Sequence, residues 1–298
     1  MKKIPALLGL IAVLLLNAGT ARSQDADSTG LPGDNFSLQG ALEMFKKAAS
    51  PEEFEKMIND GNNNVNNLDL NGDGELDYVR VIDKSEKDVH AFVLQVSVSA
   101  TENQDIAVIE LEKDGDESAV LQIVGDEEIY GEQVIVEPSD GTSGEDESPA
   151  KNGPSFNYDE TNIIVNVWLW PSVRFVYRPA YVPWASPYRW GLNPPGWHRH
   201  PIAWRVFHPR VLVFHPFCRR VHTHRVFVAH GVYKPFRSTS VFVRTRHGAS
   251  VTRYRNGRTI RTVKVAGPRG VRTTTTIRGK DGDVKYKETK VRGRGKRG

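Results

Sequence analysis

Hydrophobic residues recur at helical spacing at the start of the first ordered region. Leu38, Leu42 and Phe45 fall on one face of a segment whose other positions are mostly polar, which is the pattern of an amphipathic helix. Residues 50–53, SPEE, form a capping sequence with proline at the first helical position. The pattern predicts two consecutive helices, the second ending near Gly61.

The chain then changes to the two-residue period of β-strands. Five runs show it: 78–83, 89–99, 106–113, 118–124 and a weaker one at 133–137. Asp114-Gly115 predicts a hairpin, because this pair tolerates the positive φ angles of a tight turn. Residues 37–137 therefore predict an α+β domain, in which a helical pair packs on the one apolar face of a small antiparallel β-meander.

Composition divides the rest of the chain. Residues 24–36 predict a flexible leader and 138–160 an acidic linker, since both are rich in turn formers. Residues 161–247 contain all six tryptophans, eight of the nine histidines and a proline every few positions, which predicts an irregular or partly β segment. Residues 248–298 predict a disordered basic tail that forms strands on a partner; a β-meander with two polar faces is the alternative.

Charge is distributed very unevenly along the chain. Residues 24–160 hold 33 acidic and 8 basic residues, whereas residues 161–298 hold 3 acidic and 29 basic ones. Arginine interleaved with aromatic residues suits polyanions, because guanidinium groups bind phosphate or sulfate and rings stack on bases or sugars. The alternative is that the two halves neutralise each other within the molecule.

Residues 1–23 place basic, apolar and small residues in the order of a secretory signal peptide. The apolar run is shorter than the roughly 20 residues of a membrane-spanning helix, which disfavours an uncleaved anchor. The mature protein is therefore predicted to lie outside the cytoplasm. Its single cysteine, Cys218, excludes an intramolecular disulfide.

Residues 68–81, LDLNGDGELDYVRV, place oxygen donors on alternate positions around two glycines. A hard cation such as Ca²⁺ needs this arrangement, and the candidate ligands are Asp69, Asn71, Asp73, Glu75 and Asp77. The run resembles the calcium loops of EF-hand and dockerin-type modules over nine residues. It departs from them at the twelfth position, where Arg80 replaces the acidic ligand. The alternative is a plain turn whose side chains bond their own backbone.

Histidine pairs suggest a second kind of metal chemistry. His198 with His200, and His222 with His224, are close in sequence, and Cys218 lies between the pairs. These residues favour zinc, copper or nickel, although their spacing matches no zinc finger. The chain contains no nucleophile elbow, zinc-protease motif or phosphate-binding loop in a suitable context, so no enzyme is predicted.

The order of signal peptide, acidic α+β domain and Trp/Pro/His/Arg-rich basic half resembles uncharacterised exported proteins of Bacteroidetes-type bacteria. The resemblance implies a periplasmic, secreted or cell-surface location and no particular activity. The first hypothesis is a non-catalytic envelope protein whose basic half binds an anionic polymer, lipid headgroups or extracellular nucleic acid. The alternatives are a periplasmic His-rich protein that binds transition metals and a hydrolase without a recognisable motif.

Overall fold

The computed structural model describes residues 31–139, 164–247, 251–255, 258–267, 270–278 and 284–292. The predicted signal peptide and nearly all of the predicted linker lie outside these ranges. Within them, helices combine with antiparallel sheets, which confirms the α+β class. The helices are α1 Leu38–Lys47, α2 Pro51–Asn59, α3 Glu127–Tyr130, α4 Pro171–Val176, α5 Trp204–Val211, α6 Phe227–Tyr233 and α7 Val241–His247.

The strands form two separate sheets. Six strands follow one another in the first: β1 Val79–Glu86, β2 Val89–Ser97, β3 Asn103–Gly115, β4 Ser118–Gly125, β5 Val134–Pro138 and β6 Cys218–Val221. Four strands form the second: β7 Val251–Arg255, β8 Arg258–Gly267, β9 Gly270–Arg278 and β10 Val284–Arg292. Every strand pair is antiparallel.

Local sequence signals explain the first two helices. The Ser37 and Ser50 side chains accept hydrogen bonds from the backbone N–H groups of Gly40 and Glu53, and Glu53 bonds back to the Ala49 N–H. These contacts satisfy N–H groups that have no partner inside a helix. Both helices therefore begin at a capping serine, and the sequence indicates the second of them, Ser50.

The β3–β4 hairpin forms between the two predicted runs, but its turn includes only Asp116 of the predicted turn residues 114–116. Its turn is at residues 116–117, and the pairing register shifts between Lys113 and Gly115. Gly115 has no positive φ angle. The Asp-Gly pair therefore makes an irregularity at the end of β3 instead of the turn, as an extra residue in one strand of a ladder does.

One face of the first sheet carries the main core. Phe45 of α1 packs against Phe54 of α2 and Phe92 of β2, with ring centroids 5.2 and 5.1 Å apart. All three side chains are fully buried. The helical pair thus lies on the apolar face of the meander, where its aromatic residues supply large buried areas and edge contacts.

The second face is also buried, which corrects the prediction of a single apolar face. Ala91, Val93, Val108 and Val124 form a separate buried cluster with Tyr233. Tyr233 belongs to α6, within residues 164–247. We call these residues the strap, because they cross both faces of the sheet. Small and β-branched residues on this face are the sequence signal that this side is covered.

The strap also occupies both edges of the first sheet. At one edge β6 pairs with β5, so that Val221 faces Ile135. At the other, the Asp83 N–H donates to the Trp184 carbonyl at 2.7 Å and the Ser186 N–H donates to the Val81 carbonyl at 3.0 Å. Exposed strand edges invite aggregation, so this coverage protects the sheet. The sequence treats residues 37–137 and 161–247 as separate units, but their described residues share one core.

Two regions predicted to be flexible or disordered contain regular structure. Pro32–Asn35 forms a 3₁₀ turn with Leu31 and Phe36 buried beside it, so this part of the predicted leader is ordered. Residues 251–292 include β7 to β10, which corrects the prediction of a disordered tail in favour of the meander. Threonines pair across this sheet, as between Thr274 and Thr289 with hydroxyl oxygens 3.2 Å apart.

Among the described residues, no helix is both long enough and apolar enough to cross a bilayer. The longest helix there, α1, has ten residues.

The shared core makes a direct prediction about the strap. Phe207 of α5 is 2 % exposed, so Phe207→Ala should lower the free energy of unfolding by about 3 kcal/mol, through lost burial and a cavity. Phe217→Ala is the matched control, because that ring is 48 % exposed; its cost should stay below about 1 kcal/mol. Equal costs in urea unfolding would show that the strap is not part of the core.

Candidate functional site

Contacts between the strap and the acidic part centre on buried carboxylates. Nine Asp or Glu residues are buried among the described residues, and seven of them have a partner in the strap. The pairs are Glu55 with Trp184 and Ser186, Asp83 with Tyr181, Asp105 with Tyr233 and Ser238, Glu110 with His224 and His230, Asp126 with Arg237, Glu128 with Arg244, and Glu137 with Arg219 and Arg225. A buried carboxylate requires such partners, because the desolvation cost is otherwise several kcal/mol.

Glu55 shows how the strap is attached to the helical pair. Its carboxylate accepts hydrogen bonds from the Tyr78 hydroxyl, the Val81 N–H, the Trp184 indole N–H and the Ser186 hydroxyl, at 2.7 to 3.3 Å. Burial raises the pKa of Glu55, and these four donors oppose the rise. The four donors come from β1, the residue before it and the strap, so one side chain joins three elements.

The candidate calcium loop connects α2 to β1. Gly72 and Gly74 adopt φ angles of +73° and +86°, which explains why glycine stands at both positions. Four of the predicted ligands, Asn71, Asp73, Glu75 and Asp77, line one cleft of about 260 Å³. The fifth ligand, Asp69, lines a different cavity on the loop, of about 170 Å³. The structure therefore brings four of the five residues to one opening.

Side chains of the loop also hold its own backbone. Asp69 accepts from the N–H groups of Gly72 and Gly74, Asn71 accepts from the Asp73 N–H, and Asp73 accepts from the Glu75 N–H. Such bonds are the expected content of a plain Asx turn. They leave lone pairs on the carboxylates, so they are compatible with a bound cation.

Asp77 distinguishes this loop from an ordinary exposed turn. Its side chain is buried and accepts a hydrogen bond from the Leu70 N–H at 2.5 Å. Burial, and to a lesser extent the negative charges of Asp69 and Asp73, raise the pKa of Asp77 to about 7. The ionised form of Asp77 is thus poorly compensated beside two further acids, which is the electrostatic situation that a divalent cation relieves.

Arg80, at the twelfth loop position, supplies no ligand. Its guanidinium donates to the Gln95 side chain on β2 and to the Tyr188 carbonyl in the strap. This side chain is committed to the sheet because Arg80 is already part of β1. The second helix of an EF-hand is absent from this position, where a strand begins instead.

The strap reaches the calcium loop at several points, although the two are far apart in sequence. The Leu76 N–H donates to the Arg199 carbonyl at 2.8 Å, and the Trp197 indole N–H donates to the Leu76 carbonyl at 3.1 Å. His200 Nδ1 lies 2.8 Å from the Gly74 carbonyl. The Arg246 guanidinium lies so close to Gly72 that an added Cβ would be 1.7 Å from its Nη2.

A second cluster of metal-ligand type lies on the other face of the sheet. Glu110 of β3 contacts His224 through one carboxylate oxygen and His230 of α6 through the other. The sequence pairs His224 with His222, but His222 is exposed outside this cluster. The sequence signal for this cluster was Glu110 itself, an acidic residue in the middle of the apolar strand β3. A buried acid there requires a partner.

Cys218 begins β6 with its thiol directed at the Gln39 carbonyl, 3.9 Å away. Burial raises the pKa of this thiol well above its ordinary value. Only the thiolate is a strong nucleophile or metal ligand, and little of it is present at neutral pH.

Comparison with known proteins finds no match of any kind: no protein-family model, no curated protein and no solved structure is similar to this chain. Fold and contacts therefore carry the functional argument.

Calcium should stabilise the protein if the loop binds it. At a concentration 100-fold above the dissociation constant, binding adds about 2.7 kcal/mol, which corresponds to a rise of about 5 °C in melting temperature over EDTA. Asp73→Asn should reduce this rise, whereas Asp116→Asn, which removes one acid from the exposed β3–β4 turn, should retain it. Identical melting in calcium and EDTA would identify a plain turn.

Asp77 should also make stability depend on pH. In EDTA its pKa is near 7 in the folded protein and near the ordinary 3.8 after unfolding, so the folded state binds an extra proton between these values. Stability should therefore fall by on the order of 2 kcal/mol between pH 5 and pH 8. Asp77→Asn should remove this component from denaturant unfolding curves, and Asp116→Asn should not. A wild-type profile that Asp77→Asn leaves unchanged would contradict the assignment.

Proposed function

We propose that this is an exported, non-catalytic envelope protein of a bacterium that binds an anionic polymer or surface. The basic sheet formed by β7 to β10 is the binding element. The acidic part and the strap, residues 31–139 and 164–247, form a body to which this sheet is attached. Calcium in the loop at residues 69–77 stabilises that body. The observation that supports this assignment is the distribution of positive charge between the strap and the end of the chain.

At least five of the thirteen Arg and Lys residues of the strap pair with the protein's own carboxylates. Arg219, Arg225, Arg237 and Arg244 form ion pairs with buried acids of the sheet and α3, and Arg199 lies 3.8 Å from Asp60. Four of them, Arg219, Arg225, Arg237 and Arg244, neutralise buried charge, whereas Asp60 is about half exposed. These four are therefore poor candidates for recognising an external polyanion, and the excess of positive charge at the end of the chain is a better one.

The remaining positive charge is concentrated in the second sheet. Residues 24–247 hold 33 acidic and 21 basic residues, a formal charge of −12, whereas residues 248–298 hold 3 acidic and 16 basic residues, +13. Internal pairing within the tail is limited by its three acids. Lys285, Lys287 and Lys290 of β10 are exposed, although Lys290 also pairs with Glu288. Lys287 and Lys290 lie on opposite faces of the strand, so both faces of this sheet carry positive charge suited to phosphate or sulfate groups.

The negative charge of the body affects how the protein can approach a polyanion. A negatively charged body is repelled by the same polyanion that attracts the tail, so we expect the protein to dock with the second sheet foremost and the body held away. Export delivers the protein to the envelope, where anionic polymers and lipids are abundant. The loop cation stabilises a fold that has one cysteine and no disulfide of its own.

Salt dependence tests the tail directly. Duplex DNA serves as a polyanion of known charge spacing, and the logarithm of the association constant should fall steeply and linearly with the logarithm of salt concentration. The triple substitution of Lys285, Lys287 and Lys290 to Gln should lower that slope by about one unit for each lysine that contacts a phosphate.

The matched control removes three lysines from the acidic part. Lys46, Lys47 and Lys56 lie on α1 and α2 and pair with glutamates there, so their substitution to Gln changes net charge equally without touching the tail. The slope should then stay at the wild-type value. Equal effects of the two triples, or no binding at low salt to either DNA or anionic vesicles, would refute the proposal. Vesicles with phosphatidylglycerol, measured in parallel, distinguish a lipid surface from a polymer.

A further inference from the structure

Three polar side chains from distant parts of the chain meet on the second face of the first sheet. Glu110 lies in β3, His224 follows β6, and His230 lies in α6. One ligand atom from each residue lies within 4.8 Å of the other two. We propose that these three residues bind a divalent transition-metal ion such as Zn²⁺, with a fourth coordination position open to solvent.

Donor chemistry selects this class of metal. Imidazole nitrogens bind Zn²⁺, Cu²⁺ and Ni²⁺ well, whereas Ca²⁺ and Mg²⁺ prefer oxygen donors alone. Two histidines and one carboxylate form a three-ligand set that leaves one position of a tetrahedral zinc ion free. This site is therefore chemically distinct from the all-oxygen loop at residues 69–77.

The present geometry needs only a small change to accept the ion. His230 Nδ1 lies 2.7 Å from Glu110 Oε1, and His224 Nε2 contacts Oε2. A tetrahedral ion with bonds of 2.0 to 2.1 Å separates its ligand atoms by about 3.3 Å. The His230 and Glu110 ligand atoms therefore need to separate by only about 0.6 Å to reach that spacing.

Burial and access are arranged as a metal site requires. The Glu110 side chain is fully buried, whereas the side chains of His224 and His230 are 16 % and 29 % exposed. The charged ligand is thus inside and the two neutral ligands lie between it and solvent.

Two further side chains hold both histidines in place. Gln122 accepts hydrogen bonds from the N–H groups of Arg225 and Val226 and donates to the Thr223 carbonyl, so the residues on either side of His224 are fixed. Glu112 accepts from the Val228 and Ala229 N–H groups at 2.7 and 2.9 Å, which fixes the start of α6 before His230. A site held by its neighbours loses little entropy when the metal binds.

Proton balance accompanies binding. Each imidazole nitrogen that now contacts Glu110 must present a lone pair to the metal, so a neutral ring moves its proton to the other nitrogen and a protonated ring releases it to solvent. Metal affinity should therefore weaken as the pH falls. The alternative to a metal site is a permanent hydrogen-bonded Glu–His–His cluster that serves only to attach the strap.

Calorimetric titration of the purified protein, without an affinity tag and after removal of EDTA, tests the proposal with ZnCl₂ at pH 7.5. The wild-type protein should bind one equivalent. His224→Gln and His230→Gln should each weaken binding by at least about tenfold, because glutamine keeps an N–H donor for Glu110 but is a poor metal ligand. His222→Gln is the matched control, since His222 is an exposed strap histidine outside the cluster, and it should bind like wild type.

Two further measurements make each outcome decisive. Melting temperatures in EDTA establish that the glutamine variants are folded, and visible absorption of Co²⁺ reports tetrahedral nitrogen and oxygen coordination. Cys218→Ser should bind as well as wild type. The proposal fails if wild type takes up no stoichiometric zinc, if both ligand variants bind normally, if His222→Gln is equally impaired, or if Cys218→Ser abolishes binding.

Discussion

Buried carboxylates are the constraint on which this structure depends. An ionised acid away from water costs several kcal/mol unless hydrogen-bond donors or cations compensate it, and seven such acids in the acidic part take partners from the strap. The dependence is mutual, because prolines prevent the strap from forming long helices or strands of its own. Removing one partner leaves an uncompensated buried charge, which typically costs about 3 to 5 kcal/mol.

The sheet shows the same mutual dependence. Its first five strands have apolar residues on both faces and open hydrogen-bonding groups at both edges, and the helical pair covers only one face. The strap supplies the remaining cover through α6, through β6 beside β5, and through residues 184–186 beside β1. Its aromatic and arginine content therefore serves the interior of the protein as well as its surface.

Local order was predictable and long-range pairing was not. Helix caps, two-residue alternation and the α+β class follow from neighbours in sequence, so α1, α2 and the meander could be predicted. The position of the strap depends on contacts such as Gln122 with Thr223, more than 100 residues apart, for which single-sequence periodicity contains no signal. Small apolar residues such as Ala91 and Val93, opposite the main core, were the available hint that a second layer exists. The sequence favoured disorder over strands in the tail, because both faces of such strands would be polar.

The two candidate cation sites also differ in how far they could be predicted from the sequence. The calcium loop is continuous in sequence, so its five candidate ligands could be named, whereas Glu110, His224 and His230 meet only after folding. Both sites involve buried carboxylates without an arginine partner in the described contacts. Among the other carboxylates of that kind, Glu43 lies beside two lysines. Glu55, Asp83 and Asp105 accept bonds from Tyr, Ser or Trp, which hold a proton that no metal displaces at neutral pH, and Asp83 also contacts His90. Asp77 lies beside two further acids at an open cleft, and Glu110 faces imidazoles that exchange a proton for a metal. These differences single out Asp77 and Glu110 as the buried acids at which a cation can do what arginine does elsewhere in the interface.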